Sequence, residues 1–267
     1  MAHLTCRFFA GTLGVSTSMQ VLLPQSTGGG QIGMGGAQRK GSYPVLYLLH
    51  GWSDDESIWM RRTSIERYAA ERGLVIVMPR VELSYYQNMS SGMRFWDFIS
   101  EELPALCADW FPISGRREET FAAGLSMGGY GAFRLGLACP DRFAAVASLS
   151  GALDIREIGS KDTEPERFRK LEAIWGPGLK GLGEESDLFQ LADRLAASGE
   201  PQPAFYQWCG TGDFLYAGNL KFRDHAQAAG LNLLYSEGPG DHSWGNWDRE
   251  IQGVLHWLPL SGEVGQA

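Results

Sequence analysis

Gly124-Leu125-Ser126-Met127-Gly128 lies at the junction of two segments with different hydrophobic patterns. The apolar residues before it, from 120 to 125, predict a short buried strand, while residues 129–138 carry apolar side chains at helical spacing. A serine flanked by glycines at such a junction is typical of a nucleophile elbow, because the glycines let the strand and the helix approach closely. The turn would expose the Ser126 hydroxyl, and it would direct the first N–H groups of the helix at the group that this hydroxyl attacks. We therefore predict that Ser126 is a nucleophile.

Segments typical of strands and helices alternate along the rest of the chain. Apolar runs predict strands at 8–12, 18–23, 44–49, 74–78, 143–150, 204–209 and 231–236. Amphipathic segments between them predict helices at 65–72, 98–110, 220–229 and 247–258. This order predicts an α/β fold with a mostly parallel, doubly wound sheet of about eight strands. The more polar segment 154–200 is expected to form a small insertion over the carboxyl edge of that sheet.

The size and charge of the chain limit what it can be. Its 267 residues suffice for one α/β domain with a large core, so we predict a single domain over residues 1–267. The net charge of −8 argues against nucleic acid or an anionic membrane as the main partner. No secretory signal or membrane span is evident, so we expect a cytoplasmic protein. Four widely separated cysteines are expected to be free thiols rather than a metal or redox site: Cys6, Cys107, Cys139 and Cys209.

One histidine follows the last predicted strand, where a base for Ser126 could lie. A serine hydroxyl attacks well only when an adjacent base takes its proton and an acid holds that base. His242 occupies a glycine-rich loop, and loops at the carboxyl ends of parallel strands collect the reactive groups of such folds. His3 is expected in a frayed terminus, while His225 and His256 fall in predicted helices with a packed or solvated role. We therefore predict that His242 is the base.

The acid that orients this base is expected between Ser126 and His242 in the sequence. Asp213 comes directly after the predicted strand 204–209, and the glycines before it permit a tight turn. Asp154, four residues beyond the strand at 143–150, is the main alternative. The remaining candidates are expected to be solvated, helix-surface or helix-capping carboxylates: Asp187, Asp193, Asp241 and Asp248.

Two backbone N–H groups are expected to bind the negative charge that develops on the substrate oxygen. One belongs to Met127, the residue after the nucleophile, and the other to the loop after the strand at 44–49. In that loop we favour the Trp52 N–H, with Gly51 allowing the close approach. His50 is expected to brace the loop by hydrogen bonding rather than to transfer protons.

Aromatic residues are concentrated near the predicted carboxyl edge of the sheet. A narrow substrate pocket could be formed by them, although several could instead pack beneath the insertion. The substrate-binding candidates are Tyr85, Tyr86, Trp96 and Trp244.

Four motifs together resemble the esterase D group of α/β-hydrolases, which includes S-formylglutathione hydrolases, feruloyl and acetyl esterases, and mycolyltransferases. The motifs are Leu48-Leu49-His50-Gly51, Gly124-Leu125-Ser126-Met127-Gly128-Gly129-Tyr130-Gly131, Gly212-Asp213-Phe214 and His242-Ser243-Trp244. The likeness covers nearly the whole chain and is greatest to small bacterial tributyrin-type esterases. The glycine-rich stretch 28–36, within a predicted surface loop at 26–42, is longer than that group's pattern.

The resemblance implies an α/β-hydrolase fold and the catalytic triad Ser126, Asp213 and His242. It further implies a serine carboxylesterase that hydrolyses short-chain acyl esters of small molecules through an acyl-enzyme, with no cofactor and no metal. S-formylglutathione hydrolysis and the hydrolysis of acetyl or feruloyl esters of carbohydrates are the alternatives. Homo-oligomers are common in the group, so a homo-oligomer is expected, with neither nucleic acid nor membrane as a partner.

Overall fold

One eight-stranded sheet forms the centre of the molecule in the computed structural model, which describes residues 1–25, 41–158 and 164–260. The strands are β1 (Ala2–Ala10), β2 (Val15–Leu23), β3 (Val45–Leu49), β4 (Val75–Pro79), β5 (Thr120–Leu125), β6 (Ala145–Leu149), β7 (Ala204–Gly210) and β8 (Leu233–Gly238). Their order is β1-β2-β4-β3-β5-β6-β7-β8. β2 is antiparallel to both β1 and β4, and the other neighbours are parallel. The predicted mostly parallel sheet is confirmed.

Helices cover both faces of this sheet. They are α1 (Ile58–Arg62), α2 (Ile65–Arg72), α3 (Phe95–Asp97), α4 (Leu103–Trp110), α5 (Met127–Ala138), α6 (Ile155–Ile158), α7 (Pro165–Trp175), α8 (Leu188–Ser198), α9 (Tyr216–Ala228) and α10 (Trp244–Trp257). A π-helical turn over Phe98–Glu102 joins α3 to α4. None of the helices in the described part of the chain combines the length and apolar composition needed to cross a bilayer.

Two hydrophobic cores lie on opposite faces of the sheet, and β3 contributes to both. Val45, Tyr47 and Leu49 belong to the core that includes α4, α5, α8 and α9. Leu46 and Leu48 belong to the core that includes α1, α2 and α10. All five side chains are buried, which explains why this strand is a continuous apolar run rather than an alternating one. The doubly wound arrangement follows from this two-sided burial.

The segment predicted as an insertion, 154–200, has two differently placed parts. α8 packs against α5 and α9 and so lies in the helix layer on one face of the sheet. α7 contacts the loop that follows β4, where the Ser90 and Ser91 N–H groups donate to the Ile174 and Ala173 carbonyls at 2.8 and 3.3 Å. The glycine-rich stretch 28–36 lies outside the described residues.

The N-terminal strand starts earlier than predicted. β1 pairs with β2 from Ala2 onward, and the His3 Nε2 atom lies 2.8 Å from the Gln20 Oε1 atom. A strand does include residues 8–10, but the predicted bounds 8–12 and the expectation of a frayed His3 are wrong. Leu4, Cys6 and Phe8 pack against the core at a spacing of two, and this alternation already marks the segment as a strand.

Close packing at the junction of β5 and α5 leaves no room for side chains on two glycines. A Cβ atom on Gly124 would lie 2.4 Å from the Gly128 carbonyl, and one on Gly128 would lie 2.4 Å from the Leu49 oxygen. We expect Gly124→Ala to lower the free energy of unfolding by about 3 kcal/mol, because backbone atoms must move to admit the methyl group. Urea denaturation measures this loss. Gly245→Ala, where a Cβ meets nothing within 4 Å, serves as the control, and equal midpoints for the two variants would contradict the prediction.

Candidate active site

Ser126 lies between β5 and α5 in a strained backbone conformation. Its φ of 52° and ψ of −117° fall in a region that residues other than glycine rarely adopt. Three backbone hydrogen bonds hold it there: its N–H donates to the Leu149 carbonyl at 3.0 Å, and its carbonyl accepts from the N–H groups of Tyr130 and Ala152 at 3.1 and 3.0 Å. The side chain remains partly exposed. This is the backbone geometry predicted for a nucleophile elbow.

Asp213 and His242, predicted from separate parts of the sequence, are hydrogen-bonded to each other. Asp213 follows β7, His242 follows β8, and these strands are neighbours in the sheet. The His242 Nδ1 atom lies 2.8 Å from the Asp213 Oδ2 atom, while the Asp213 Oδ1 atom accepts from the Leu215 N–H at 2.8 Å. With Nδ1 directed at the carboxylate, Nε2 is the ring nitrogen left to exchange a proton with a substrate or a nucleophile.

The environment of Asp213 keeps its carboxylate ionised although the residue is only 5% exposed. Burial acts to raise the pKa of Asp213, but the hydrogen bonds from His242 and from the Leu215 N–H outweigh it and hold the pKa below its usual value. A negative charge at this position accepts the hydrogen bond from His242 and so orients the ring.

The other acidic candidates have partners elsewhere. Asp154, the main alternative acid, lies 3.6 Å from the Lys221 ammonium. Asp187 is 4% exposed, caps α8 through the Phe189 N–H and forms an ion pair with Arg156 at 2.6 Å. The expectation that Asp187 is solvated is therefore wrong, because a helix N-terminus and an arginine compensate its burial.

Two aromatic rings enclose the imidazole of His242. The Phe214 ring lies 4.5 Å away between centroids, and the Trp247 ring meets it edge-on at 4.8 Å. Trp247 is buried, whereas Phe214 is 70% exposed. No role was predicted for Phe214, although its position directly after Asp213 in the sequence is a signal that could have indicated one.

The loop after β3 lies against the nucleophile. A Cβ atom added to Gly51 would lie 2.6 Å from the Leu125 Cδ1 atom and 3.6 Å from the Ser126 Cβ atom. Glycine at this position therefore permits the close approach. Trp52 follows in the same loop, and Met127 is the first residue of α5, whose first N–H groups have no partner within the helix. Both backbone N–H groups predicted to bind an oxyanion thus belong to segments adjoining Ser126.

His50 braces this loop from within the core. It is 1% exposed, its Nδ1 atom lies 2.8 Å from the Gly51 carbonyl oxygen, and its Nε2 atom accepts from the Val81 N–H at 3.1 Å. The Tyr86 hydroxyl donates to the His50 carbonyl at 2.8 Å. These contacts confirm the predicted bracing role.

The buried state of His50 predicts a pH dependence of stability. Burial lowers the pKa of His50, while the hydrogen bond to Gly51 acts in the opposite direction. The stabilisation is complete above the unfolded-state pKa of about 6.5 and is lost as the pH falls below it toward the lower folded value. We therefore expect the free energy of unfolding to fall more steeply between about pH 7 and pH 5 in the wild type than in His50→Gln. Urea titrations at each pH test this, and His256→Gln, exposed on α10, should keep the wild-type slope.

Tyr85 and Tyr86, predicted to bind substrate, are both buried at 2% and 0% exposed. The Tyr86 ring packs where a Cβ of Gly131 would be, and its hydroxyl holds His50. The Tyr85 ring is packed 5.2 Å from Trp52 and 5.4 Å from Trp175. With almost no exposed surface, neither ring can contact a substrate in this conformation. The prediction for these two tyrosines is corrected, because the loop after β4 turns both rings into the core.

Trp96 and Trp244 are partly exposed and engaged with other side chains. The Arg134 guanidinium carbon lies 3.8 Å from the Trp96 ring centroid. Arg134 belongs to α5 and is eight residues beyond Ser126 in the sequence. Trp244 meets Trp59 edge-on, with ring centroids 5.2 Å apart. Their contact with substrate stays a prediction. Across the described residues, no three His, Cys, Asp or Glu side chains are grouped to hold a metal ion.

The chain is similar to known esterases and serine hydrolases. The family model described as "Putative esterase" matches residues 11–258. An acetyl esterase of Caldicellulosiruptor saccharolyticus is 30% identical over 222 residues, which cover 80% of this chain and 82% of that protein. FphF, a fluorophosphonate-binding serine hydrolase of Staphylococcus aureus, is 33% identical with a TM-score of 0.86, over 97% of this chain and 99% of that one. The S-formylglutathione hydrolase FrmB of the same organism is also 33% identical, with a TM-score of 0.83 and the same coverage.

Proposed function

Since the chain belongs to the Esterase family and is a serine esterase, we propose that it hydrolyses short-chain acyl esters with Ser126, His242 and Asp213 as its triad. The observation that carries this proposal is the 2.8 Å hydrogen bond between Asp213 and His242, beside the strained elbow that bears Ser126. Asp213 follows β7, His242 follows β8 and Ser126 follows β5. These parallel strands end at the same edge of the sheet.

The first half of the proposed reaction forms an acyl-enzyme. The Ser126 Oγ atom attacks the ester carbonyl carbon while the His242 Nε2 atom takes its proton. The carbonyl oxygen becomes negatively charged and accepts hydrogen bonds from the backbone N–H groups of Met127 and Trp52. The carbon–oxygen bond to the alcohol then breaks, and His242 returns the proton to the leaving oxygen. Asp213 stays ionised throughout and keeps the imidazole oriented.

The second half repeats these steps with water. His242 takes a proton from water as the water oxygen attacks the acyl carbon, and the same two N–H groups bind the new oxyanion. The bond between the acyl carbon and the Ser126 oxygen breaks, the serine regains its proton, and the carboxylic acid is released. The chain's own residues provide the nucleophile, the base and the oxyanion donors.

A short acyl group is supported by the aromatic packing beside the oxyanion loop and by the acetyl esterase relative. Trp52 is backed by Tyr85, which is in turn packed against Tyr130 and Trp175, so this side of the loop is filled by rings. A long chain directed here would have to displace packed side chains, which costs more than it gains.

S-formylglutathione is the second candidate substrate, and acetyl or feruloyl esters of carbohydrates are a third class. The second is favoured by the 33% identity to a staphylococcal S-formylglutathione hydrolase over 97% of this chain. A thioester would pass through the same triad, with a thiolate rather than an alkoxide as the leaving group.

The test is a comparison of kcat/KM for 4-nitrophenyl acetate, butyrate, hexanoate and octanoate with that for S-formylglutathione. We expect the highest values for acetate and butyrate and a fall of about tenfold or more by octanoate, because the longer chain does not fit. Rates that rise up to octanoate would contradict the short-chain proposal. A higher kcat/KM for S-formylglutathione than for every oxygen ester would select the second candidate.

A cytoplasmic location and a homo-oligomeric state also belong to the proposal. The first is tested by cell fractionation with an antibody to the protein. The second is tested by light scattering of the purified chain.

A further inference from the structure

A cleft of about 390 Å³ opens beside the proposed triad, between the segment after β6 and the start of α9. Gly151 and Phe214 are among its lining residues. The neighbour of Gly151, Ala152, donates a hydrogen bond to the Ser126 carbonyl, and the Phe214 ring lies 4.5 Å from the His242 ring between centroids, tilted by 49°. Neither Ser126 nor His242 is among the lining residues, but Phe214 connects the cleft to the proposed base.

The contact with His242 indicates which part of a substrate the cleft can receive. In the proposed reaction His242 protonates the leaving group, so the leaving atom must stay within hydrogen-bond reach of that ring. Phe214 lies against the same ring and also forms a wall of the cleft. The leaving group, rather than the acyl group, is thus on this side. Leu153, Leu215 and Phe214 provide apolar surface for the part of it nearest the ester.

The charges of the described residues around the cleft are partly compensated, because two of its carboxylates share one lysine. Asp154 and Glu157 line it, and both are in ion-pair contact with Lys221. The remaining charged lining residues are Glu164 and Arg167, three residues apart on the same end of α7. Among the ion pairs of the described residues, neither of these two takes part.

Arg167 is the one cation among the described residues that line the cleft, and its guanidinium reaches the Tyr85 hydroxyl. Burial raises the pKa of Tyr85, and the Arg167 guanidinium beside its hydroxyl opposes that rise. Tyr85 is itself held among Trp52, Tyr130 and Trp175, so it offers Arg167 a fixed partner.

We infer that this cleft binds the leaving group of the ester, and that Arg167 recognises a carboxylate carried by that group. The substrates selected are esters of alcohols, phenols or thiols that have an apolar part next to the ester and a carboxylate beyond it. The inference rests on the proposed function, since it defines the leaving group by the action of His242.

Two esters with the same acyl group test the inference: phenyl acetate and 3-carboxyphenyl acetate. We expect Arg167→Gln to lower the ratio of kcat/KM for the charged ester to that for the neutral ester by about tenfold, as for a charge-assisted hydrogen bond. Arg167→Lys should restore part of the ratio, because it keeps the charge but not the planar guanidinium. Arg169→Gln is the matched control, exposed on the same helix but not lining the cleft, and should leave the ratio unchanged.

Three results would overturn the inference. The first is an unchanged ratio in Arg167→Gln. The second is a loss of kcat/KM in Arg167→Gln that is confined to monophenyl glutarate, an ester whose carboxylate is on the acyl side. The third is a preference of the wild type for 3-(aminomethyl)phenyl acetate, which would point to Glu164 instead.

A binding measurement separates this inference from the proposed reaction. Calorimetry with 3-hydroxybenzoate, the product phenol, needs no turnover and can be made in a Ser126→Ala background. We expect Arg167→Gln to raise its Kd by about tenfold there. A raised Kd supports binding of the carboxylate by Arg167 even if neither ester is hydrolysed. An equal Kd in the two proteins overturns that binding role even if both esters are hydrolysed.

Discussion

Ser126→Ala is expected to lower kcat/KM for 4-nitrophenyl acetate by about 10⁴-fold or more, because alanine has no oxygen with which to form the acyl-enzyme. The N–H groups of Met127 and Trp52 would remain, so the residual rate should still exceed that of the reaction in water. Steady-state kinetics with product release followed by absorbance measure the effect.

The fold of Ser126→Ala should be retained, since the interactions that hold this position come from the backbone. The Ser126 N–H and carbonyl bond to Leu149, Tyr130 and Ala152, and alanine keeps all three hydrogen bonds. The positive φ is as costly for alanine as for serine, so the strain does not change. We expect a thermal unfolding midpoint close to that of the wild type.

Covalent labelling identifies the nucleophile independently of turnover. A fluorophosphonate should add to one peptide, the one that contains Ser126, and the label should be absent from Ser126→Ala. Ser198→Ala, exposed at the end of α8, is the control and should keep both label and activity. Label on another serine, or activity retained in Ser126→Ala, would refute the elbow assignment.

The elbow could be predicted from the sequence because its requirements are local. Gly124 and Gly128 leave no space for Cβ atoms against each other and against Leu49, so glycine is required at both positions. His242 and Asp213 could be found because chain order and strand ends limit the candidates, since loops after adjacent parallel strands meet at one edge. These signals do not depend on how distant side chains pack.

The surroundings of the site could not be predicted, because distant contacts determine them. Tyr85 and Tyr86 follow β4 as substrate-lining residues would, yet both have positive φ values of 50° and 56° that turn their rings into the core. The Asp213 carboxylate is hydrogen-bonded to His242 and to the Leu215 N–H. These bonds fix the turn from Asp213 to Leu215, in which Phe214 is exposed. The role inferred for Arg167 depends on the position of α7 near Tyr85, and no local sequence pattern in α7 predicts that contact.

Asp213→Asn is expected to lower kcat/KM by about 10³- to 10⁴-fold, the second largest loss. In the wild type the carboxylate accepts a hydrogen bond from the His242 Nδ1–H group and leaves Nε2 free to take the serine proton. An asparagine amide group can donate to Nδ1 instead, which favours the tautomer that carries its proton on Nε2. That tautomer cannot act as a base toward Ser126.

The same variant should also change how stability depends on pH. Because the pKa of Asp213 is lowered in the folded protein, its stabilising effect is complete above the unfolded value of about 3.9 and is lost as the pH falls through the folded value. Asp213→Asn removes that contribution, so its free energy of unfolding should fall less steeply in acid than that of the wild type. Urea titrations below about pH 5 measure the difference.

A second Asp–His pair gives Asp213→Asn a matched control. Asp193 on α8 lies 2.8 Å from the His225 Nε2 atom, the same distance as in the proposed triad. That pair is exposed, whereas Asp213 is buried and follows a strand that ends beside the elbow. Asp193→Asn should therefore leave kcat/KM unchanged. If both variants lost activity equally, the loss would come from disturbed folding rather than orientation of His242, and if neither did, the acid of the triad would have to be another residue.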